Sequence, residues 1–163
     1  MYDTPLTVEQ NLTMLEATPS RLADLTKGLT PLQLRTPPKP GEWSARDILA
    51  HLRTCADMWG KYIVVILNED QPTYKAVNPT TWIKQTNYGE QEFQPSLQAF
   101  TNQRAELLSV LKPLAPEAWS RKATVTGAGK PRERTVRTYA QWLANHERSH
   151  FKQIERIANT LHS

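Results

Sequence analysis

The sequence has little cysteine, no long apolar run and little excess charge, and each shortage excludes a class of protein. Cys55 is the one cysteine, so an internal disulfide framework is excluded, which fits a reducing compartment. No apolar run approaches the roughly 20 residues that span a bilayer, so we do not expect a membrane protein. Residues 1–5 have neither the basic start nor the apolar segment of a secretory signal. We therefore expect a cytoplasmic location.

The length and the charge indicate one folded domain and do not favour nucleic acid as its partner. A chain of 163 residues has room for one core, and we predict a single domain over residues 1–163. The net charge is only +4, and much of the excess lies in one connecting segment between residues 121 and 137. No aromatic residues alternate with these cations for base stacking, so we interpret the segment as a solvated loop and do not expect nucleic-acid binding.

Four amphipathic stretches predict an all-α protein. Apolar residues recur at helical spacing over residues 7–29, 44–66, 95–111 and from residue 135 to the end. Pro19 interrupts the first stretch, and we expect a kink or a split there, near Thr18. Residues 68–94 form a connector long enough to cross a bundle, and the segment around residues 127–129 is expected to be a loose β-hairpin or a flexible loop. The predicted fold is a four-helix bundle with a long crossover between helices two and three.

Three of the four histidines lie where side chains should face the core. His146 and His150 are four residues apart and share one face of the last helix, and His51 lies in the apolar stripe of the second. Buried imidazoles need partners, and one metal ion that accepts a nitrogen from each is a solution. A hydrogen-bonded polar cluster in the core is the alternative. Three imidazoles suit zinc, nickel, iron and copper alike.

Other residues near these histidines also have two readings. Residues 146–150 match the H-E-x-x-H pattern of zinc hydrolases, in which Glu147 would be the general base, but the longer motif is absent and chance matches are common. Glu147 can equally be a surface carboxylate that is paired with Arg148 or with a neighbouring helix. Cys55, one turn after His51, is a candidate ligand or a small buried hydrophobe. Tyr139 is a candidate pocket residue or simply core.

The whole pattern resembles the DinB-like superfamily of metal-binding four-helix bundles, which includes candidate metalloenzymes and thiol-dependent transferases. The resemblance is carried by residues 41–44 and 48–52, by Phe100 and residues 104–108, and by residues 135–139 and 146–154. It implies that His51, His146 and His150 bind a divalent metal. It also implies the helix order 1-2-4-3 and frequent homodimers.

The resemblance and the ligand chemistry together lead to two main functional hypotheses. The first is a metal-dependent transferase or isomerase that uses a small thiol, with one zinc, nickel or iron ion and no assignable general acid or base. The second is a non-catalytic metal-binding or stress-response protein in which the ion holds the bundle together. A zinc hydrolase and a nucleic-acid-binding protein are weaker alternatives.

Overall fold

Four long helices form the body of the protein in the computed structural model, which describes residues 2–162. Two short helices and a small sheet lie in the connections. In chain order the elements are α1 Val8–Leu25, α2 Pro31–Arg35, α3 Ala45–Asn68, β1 Thr73–Lys75, α4 Pro79–Ile83, α5 Phe93–Leu111, β2 Lys122–Thr126, β3 Arg132–Thr135 and α6 Val136–His162. The predicted all-α bundle is confirmed, and α1, α3, α5 and α6 are its four helices.

Side chains that cap the helices explain where two of them start. Thr7 accepts a hydrogen bond from the backbone nitrogen of Gln10, and the Gln10 side chain accepts one from the backbone of Thr7. Ser44 and Asp47 form the same reciprocal pair at the start of α3. Each pair satisfies two backbone N–H groups that have no partner in the first turn.

The order of the helices around the bundle differs from the order that the resemblance implies. α1 packs mainly against α6 and α5, and α3 packs mainly against the same two helices. The four helices therefore follow the order 1-4-2-3 around the bundle, and the expected order 1-2-4-3 is wrong. Arg104 of α5 reaches across the interior of this arrangement: its guanidinium donates to the Leu15 carbonyl of α1 and to the Glu147 carboxylate of α6.

Pro19 does not split the first helix, because a side chain from another helix replaces the hydrogen bond that proline removes. α1 is continuous from Val8 to Leu25. Proline has no N–H, so the carbonyl four residues earlier, that of Leu15, loses its helical partner. Nη1 of Arg104 donates to this carbonyl oxygen at 2.8 Å, in the buried interior. The bundle thus repairs the helix at the position where the local sequence predicts a break.

The two connections outside the bundle meet in a three-stranded sheet. The predicted hairpin is confirmed as the antiparallel pair β2–β3, and β1 from the long crossover joins β2 in parallel. Its turn needs glycine: Gly127 has φ +90°, and a Cβ there would lie 2.7 Å from Cγ of Lys75. The sheet ties the crossover to the segment before α6. Within residues 2–162, none of the helices combines the length and the apolar character that crossing a bilayer requires.

Candidate metal centre

The structure brings together the three imidazoles that the sequence singled out. His51 comes from α3, and His146 and His150 come from successive turns of α6, the helix against which α3 packs most extensively. The ring centroids lie 4.8 Å apart for His51 and His146, 4.9 Å for His51 and His150, and 4.6 Å for His146 and His150. His146 is buried, and the other two are half-buried. The cluster therefore lies at the edge of the core, open on one side.

Ring nitrogens of two of these histidines face each other, and the third ring is oriented by a neighbouring amide. Nε2 of His51 lies 2.9 Å from Nε2 of His146. Nδ1 of His150 lies 2.9 Å from Oε1 of Gln153, and a proton on Nδ1 that is donated to this oxygen leaves the lone pair on Nε2. Gln153 was not predicted, although its position three residues after His150 places it beside that ring.

Burial keeps two of the imidazoles neutral. Desolvation, and then the neighbouring His150, lower the pKa of His51 to about 4. Desolvation, followed by His150 and His51, lowers the pKa of His146 to about 2. At neutral pH both rings therefore carry a free lone pair, which is the form that binds a metal ion.

Cys55 lies beside the same nitrogens, one turn after His51 on α3. Its Sγ is 3.8 Å from Nε2 of His51, and single donor atoms of His51, Cys55 and His146 all fall within 4.8 Å of one another. Burial, and next the charge of Glu147, raise the pKa of the thiol to about 12. The thiol is thus protonated at neutral pH in the absence of a cation.

Glu147 is not available to this cluster. Its carboxylate is 1% exposed and forms a two-pronged ion pair with the guanidinium of Arg104, which is 2% exposed. Although it follows His146 directly, Glu147 points toward α1 and α5 because consecutive helical residues are about 100° apart around the axis. The H-E-x-x-H interpretation therefore loses its general base. The expected ion pair with a neighbouring helix is present, but it is buried and not at the surface.

Tyr139 also belongs to a different part of the molecule. It lies seven residues before His146, about 10 Å along the helix axis. Its hydroxyl accepts a hydrogen bond from the hydroxyl of Tyr74 at 2.8 Å, and the ring contacts Tyr62 and Trp142. It lines a cavity beside the β-hairpin.

Aromatic rings form the walls of the histidine cluster. Tyr2 and Trp59 meet His146 edge to face, with centroids 5.1 and 5.3 Å away. Trp43, which is 45% exposed, lies over His51 at 5.1 Å and is stacked on His150 at 6.3 Å. The periodicity of the sequence does not identify Tyr2 or Trp43 as wall residues, because both precede the helices that carry the histidines.

A cavity of about 350 Å³ opens beside His51, between α3 and the crossover. Trp43 lines one side, and Pro79 and Ile83 of α4 line the other. The carboxylate Oδ2 of Asp47, a further lining residue, accepts hydrogen bonds from the backbone and the hydroxyl of Ser44. Asp47 is thereby committed to capping α3, and the cavity gives a small molecule access to one imidazole.

The arrangement fits a metal ion better than a hydrogen-bonded polar cluster. Within the described residues, Nδ1 of His146 is buried and has no hydrogen-bond partner, and Nε2 of the same ring meets another imidazole. A structural core histidine normally has both nitrogens satisfied. Converging neutral imidazoles are the donor set of Zn²⁺, Ni²⁺ and Fe²⁺ sites.

Comparison with known proteins agrees with this fold and points to the same chemistry. The family model of the DinB superfamily matches residues 14–154. A protein of Halalkalibacterium halodurans, named as a candidate metal-dependent hydrolase, is 27% identical over 136 residues, which are 83% of this chain and 78% of the relative.

A solved structure has the same architecture. YfiT from Bacillus subtilis, described as a probable metal-dependent hydrolase with an unusual four-helix bundle topology, superposes with a TM-score of 0.79. The match covers 96% of this chain and 90% of YfiT, at 18% sequence identity. At that identity the likeness shows the fold.

Proposed function

The chain belongs to the DinB superfamily, and we propose that it is an enzyme that holds one divalent transition-metal ion and acts on a small molecule. The observation that carries this proposal is the convergence of three imidazoles from α3 and α6 at the edge of the core. We assign His51, His146 and His150 as the ligands. The cavity beside His51 is the route by which a substrate reaches them.

A small thiol is the nucleophile that these surroundings favour. When bound, a divalent ion supplies Lewis-acid chemistry and lowers the pKa of a water or thiol ligand. Neither nearby carboxylate is free to take a proton from that ligand, since Glu147 is paired with Arg104 and Asp47 is hydrogen-bonded to Ser44. A thiol, with an ordinary pKa of about 8.5, loses its proton far more readily than water, whose pKa is about 15.7.

The proposed reaction is therefore a thiol-dependent transfer or isomerisation. The thiol proton goes to solvent, and a bond forms between sulfur and an electrophilic carbon of the substrate. In a transfer, the bond from that carbon to its leaving group breaks. In an isomerisation, the sulfur–carbon bond breaks again after the rearrangement, and the thiol regains a proton from solvent. Water in the place of the thiol would give the hydrolysis that the names of the relatives describe.

Metal content is the first test of the assignment. The untagged protein, analysed by elemental mass spectrometry, should contain about one equivalent of zinc, nickel or iron. His51→Ala and His150→Ala should lose it. His162→Ala is the matched control, because His162 lies on the same helix at an exposed position, and it should keep the metal. A wild-type protein that stays metal-free after reconstitution with all three ions would make the triad a polar core cluster and would end the enzyme proposal.

Turnover then separates the thiol from water. The metal-loaded protein is assayed with small thiols and an alkylating electrophile, and in parallel with ester and amide substrates without thiol. We expect product that requires thiol and is absent in His51→Ala. Metal-dependent turnover of the esters without thiol would instead establish a hydrolase.

One observation favours a second candidate, a non-catalytic protein whose metal stabilises the bundle. Cys55 lies 3.8 Å from Nε2 of His51, so a thiolate there could fill a fourth position and close the site. A closed site predicts slow metal exchange and no turnover. An open site predicts an exchangeable water, which relaxation measurements on a cobalt-substituted or nickel-substituted protein detect.

We propose in addition that the protein is a homodimer, as the resemblance implies. Sedimentation equilibrium at micromolar concentration tests this directly.

A further inference from the structure

A second cavity, of about 250 Å³, lies between the β-hairpin and the helices α3 and α6. We call it the hairpin cavity. Its helical wall is aromatic and includes Trp59, Tyr62 and Trp142, and its hairpin wall carries the cations Lys130, Arg132 and Arg134. We propose that the hairpin cavity binds a small anion with a flat apolar body, such as an aromatic carboxylate or phosphate ester. The metal is not needed for this binding.

Strand alternation sorts the charges of the hairpin between two faces. Arg132 and Arg134 are two residues apart on β3, so they share the face that lines the cavity, together with Val125 opposite Arg132. Glu133 lies on the other face, where its carboxylate pairs with Lys122 at 3.2 Å. The acidic residue of the strand is thereby directed away from the cavity.

The positive charge at the hairpin cavity is only partly balanced. Among the described residues that line it, three carry a cation and none carries a carboxylate. Asp3 is nearby: it accepts a hydrogen bond from the indole N–H of Trp142 at 2.9 Å, and Arg134 contributes to lowering its pKa after that bond. Three cations and one carboxylate leave a net charge of +2, which suits an anionic ligand.

Contacts with neighbouring side chains hold the aromatic wall in place. Tyr62 is stacked on Tyr74 with centroids 4.5 Å apart, and the hydroxyl of Tyr62 accepts from the backbone nitrogen of Val77 at 3.2 Å. Trp142 is fixed by Asp3 on one side and by the guanidinium of Arg134, 4.7 Å from its ring centroid. Preformed apolar walls with a few charged groups are typical of small-molecule sites.

The hairpin cavity also adjoins the metal centre. Trp59 lines the cavity and at the same time packs against His146, and Pro79 lines both this cavity and the one beside His51. A ligand in the hairpin cavity would therefore lie one aromatic ring away from the three imidazoles.

Binding of three matched probes tests the proposal by calorimetry on the metal-free protein. The probes are 2-naphthoate, 2-naphthyl phosphate and the neutral 2-naphthamide. We expect at least one anion to bind at least tenfold more tightly than the amide. The double variant Arg132→Gln/Arg134→Gln should raise the dissociation constant of the anion at least tenfold and change that of the amide by less than twofold. The tighter of the two anions identifies carboxylate or phosphate as the preferred group.

The control is Arg121→Gln/Lys122→Gln, which removes the same charge from the same segment outside the cavity. It should leave every dissociation constant within twofold. Val125→Trp, which fills the cavity, should abolish binding of all three probes, and circular dichroism verifies that each variant is folded.

Three results would overturn the proposal. The first is that neither anion binds at millimolar concentration. The second is that anion and amide bind with equal affinity. The third is that the two double variants lose the same amount of anion affinity. A twelve-residue oligothymidylate that binds more tightly than the small anions, with steep salt dependence, would replace it with nucleic-acid binding. All these measurements are made without metal. A negative result would therefore not affect the proposed metal-dependent function, and a metal-free wild-type protein would not affect the proposed anion site.

Discussion

His146 and Glu147 are neighbours in the chain, yet they belong to two buried polar clusters of opposite character. Glu147 has a complete set of partners, because both carboxylate oxygens are bonded by Arg104 and the same guanidinium satisfies the carbonyl of Leu15. His146 has two other imidazoles as neighbours and, among the residues that the structure describes, a ring nitrogen without a hydrogen bond. We call the first the ion-pair cluster and the second the histidine cluster. The first is complete from the chain alone, and we propose that a metal ion completes the second.

The largest expected effect comes from breaking the ion-pair cluster. Arg104→Met leaves the Glu147 carboxylate buried without a counter-charge, which should cost about 3–5 kcal/mol of unfolding free energy in urea. Arg148→Met, at an exposed position of α6, is the control and should cost less than about 0.5 kcal/mol. The double variant Arg104→Met/Glu147→Leu should regain most of the loss. If Arg104→Met were as stable as wild type, the ion pair would not be the internal support described here.

The next effect is specific to the histidine cluster. Zinc at about 100 times its dissociation constant should raise the unfolding free energy of the wild type by about 2.7 kcal/mol, since only the folded state presents the three ligands together. His51→Ala should show no increase, whereas Arg148→Met should respond like wild type. An equal increase in His51→Ala would place the metal elsewhere.

A smaller effect distinguishes the cysteine from the histidines. Cys55→Ala removes a buried sulfur and should cost about 1 kcal/mol of stability. With three imidazoles sufficient for binding, metal content should be retained. Loss of the metal to the extent seen in His51→Ala would instead make Cys55 a fourth ligand and would favour the non-catalytic candidate.

The smallest effect is at Pro19. Pro19→Ala restores an N–H beneath the Leu15 carbonyl, which Arg104 already satisfies, so the change in stability should stay within about 1 kcal/mol. In the Arg104→Met background the same substitution should recover about 1 kcal/mol, because the carbonyl then regains a partner. Strict additivity in this double-mutant cycle would contradict the repair of α1 by Arg104.

The two clusters also differ in how far they follow from the sequence. Helical periodicity places His51, His146 and His150 on core-facing stripes, and the structure brings the three rings together. The bundle and the hairpin follow from the same local patterns and from turn residues. The partner of Glu147 does not, because Arg104 lies on another helix, 43 residues earlier in the chain, and no local pattern links the two.

Other features escape sequence reasoning for similar reasons. β1 is three residues long, and its strand pairing is with β2, some fifty residues later in the chain. The basic segment of residues 121–137 has no aromatic residues among its cations. The rings that line a cavity with these cations include Trp59 and Tyr62, which come from α3. Tertiary packing determines these contacts, and no local pattern encodes them.

The salt bridge between Arg104 and Glu147 has a mechanical consequence. It fixes the rotational setting of α6 about its own axis, because turning the helix would pull the carboxylate away from a guanidinium that is itself anchored to α1. The same rotation would swing His146 and His150 together relative to His51. Binding constellations tolerate errors of only about 0.5 Å. Arg104 thus restrains the rotation of α6 and thereby the position of His146 and His150 relative to His51, although it lies outside the histidine cluster.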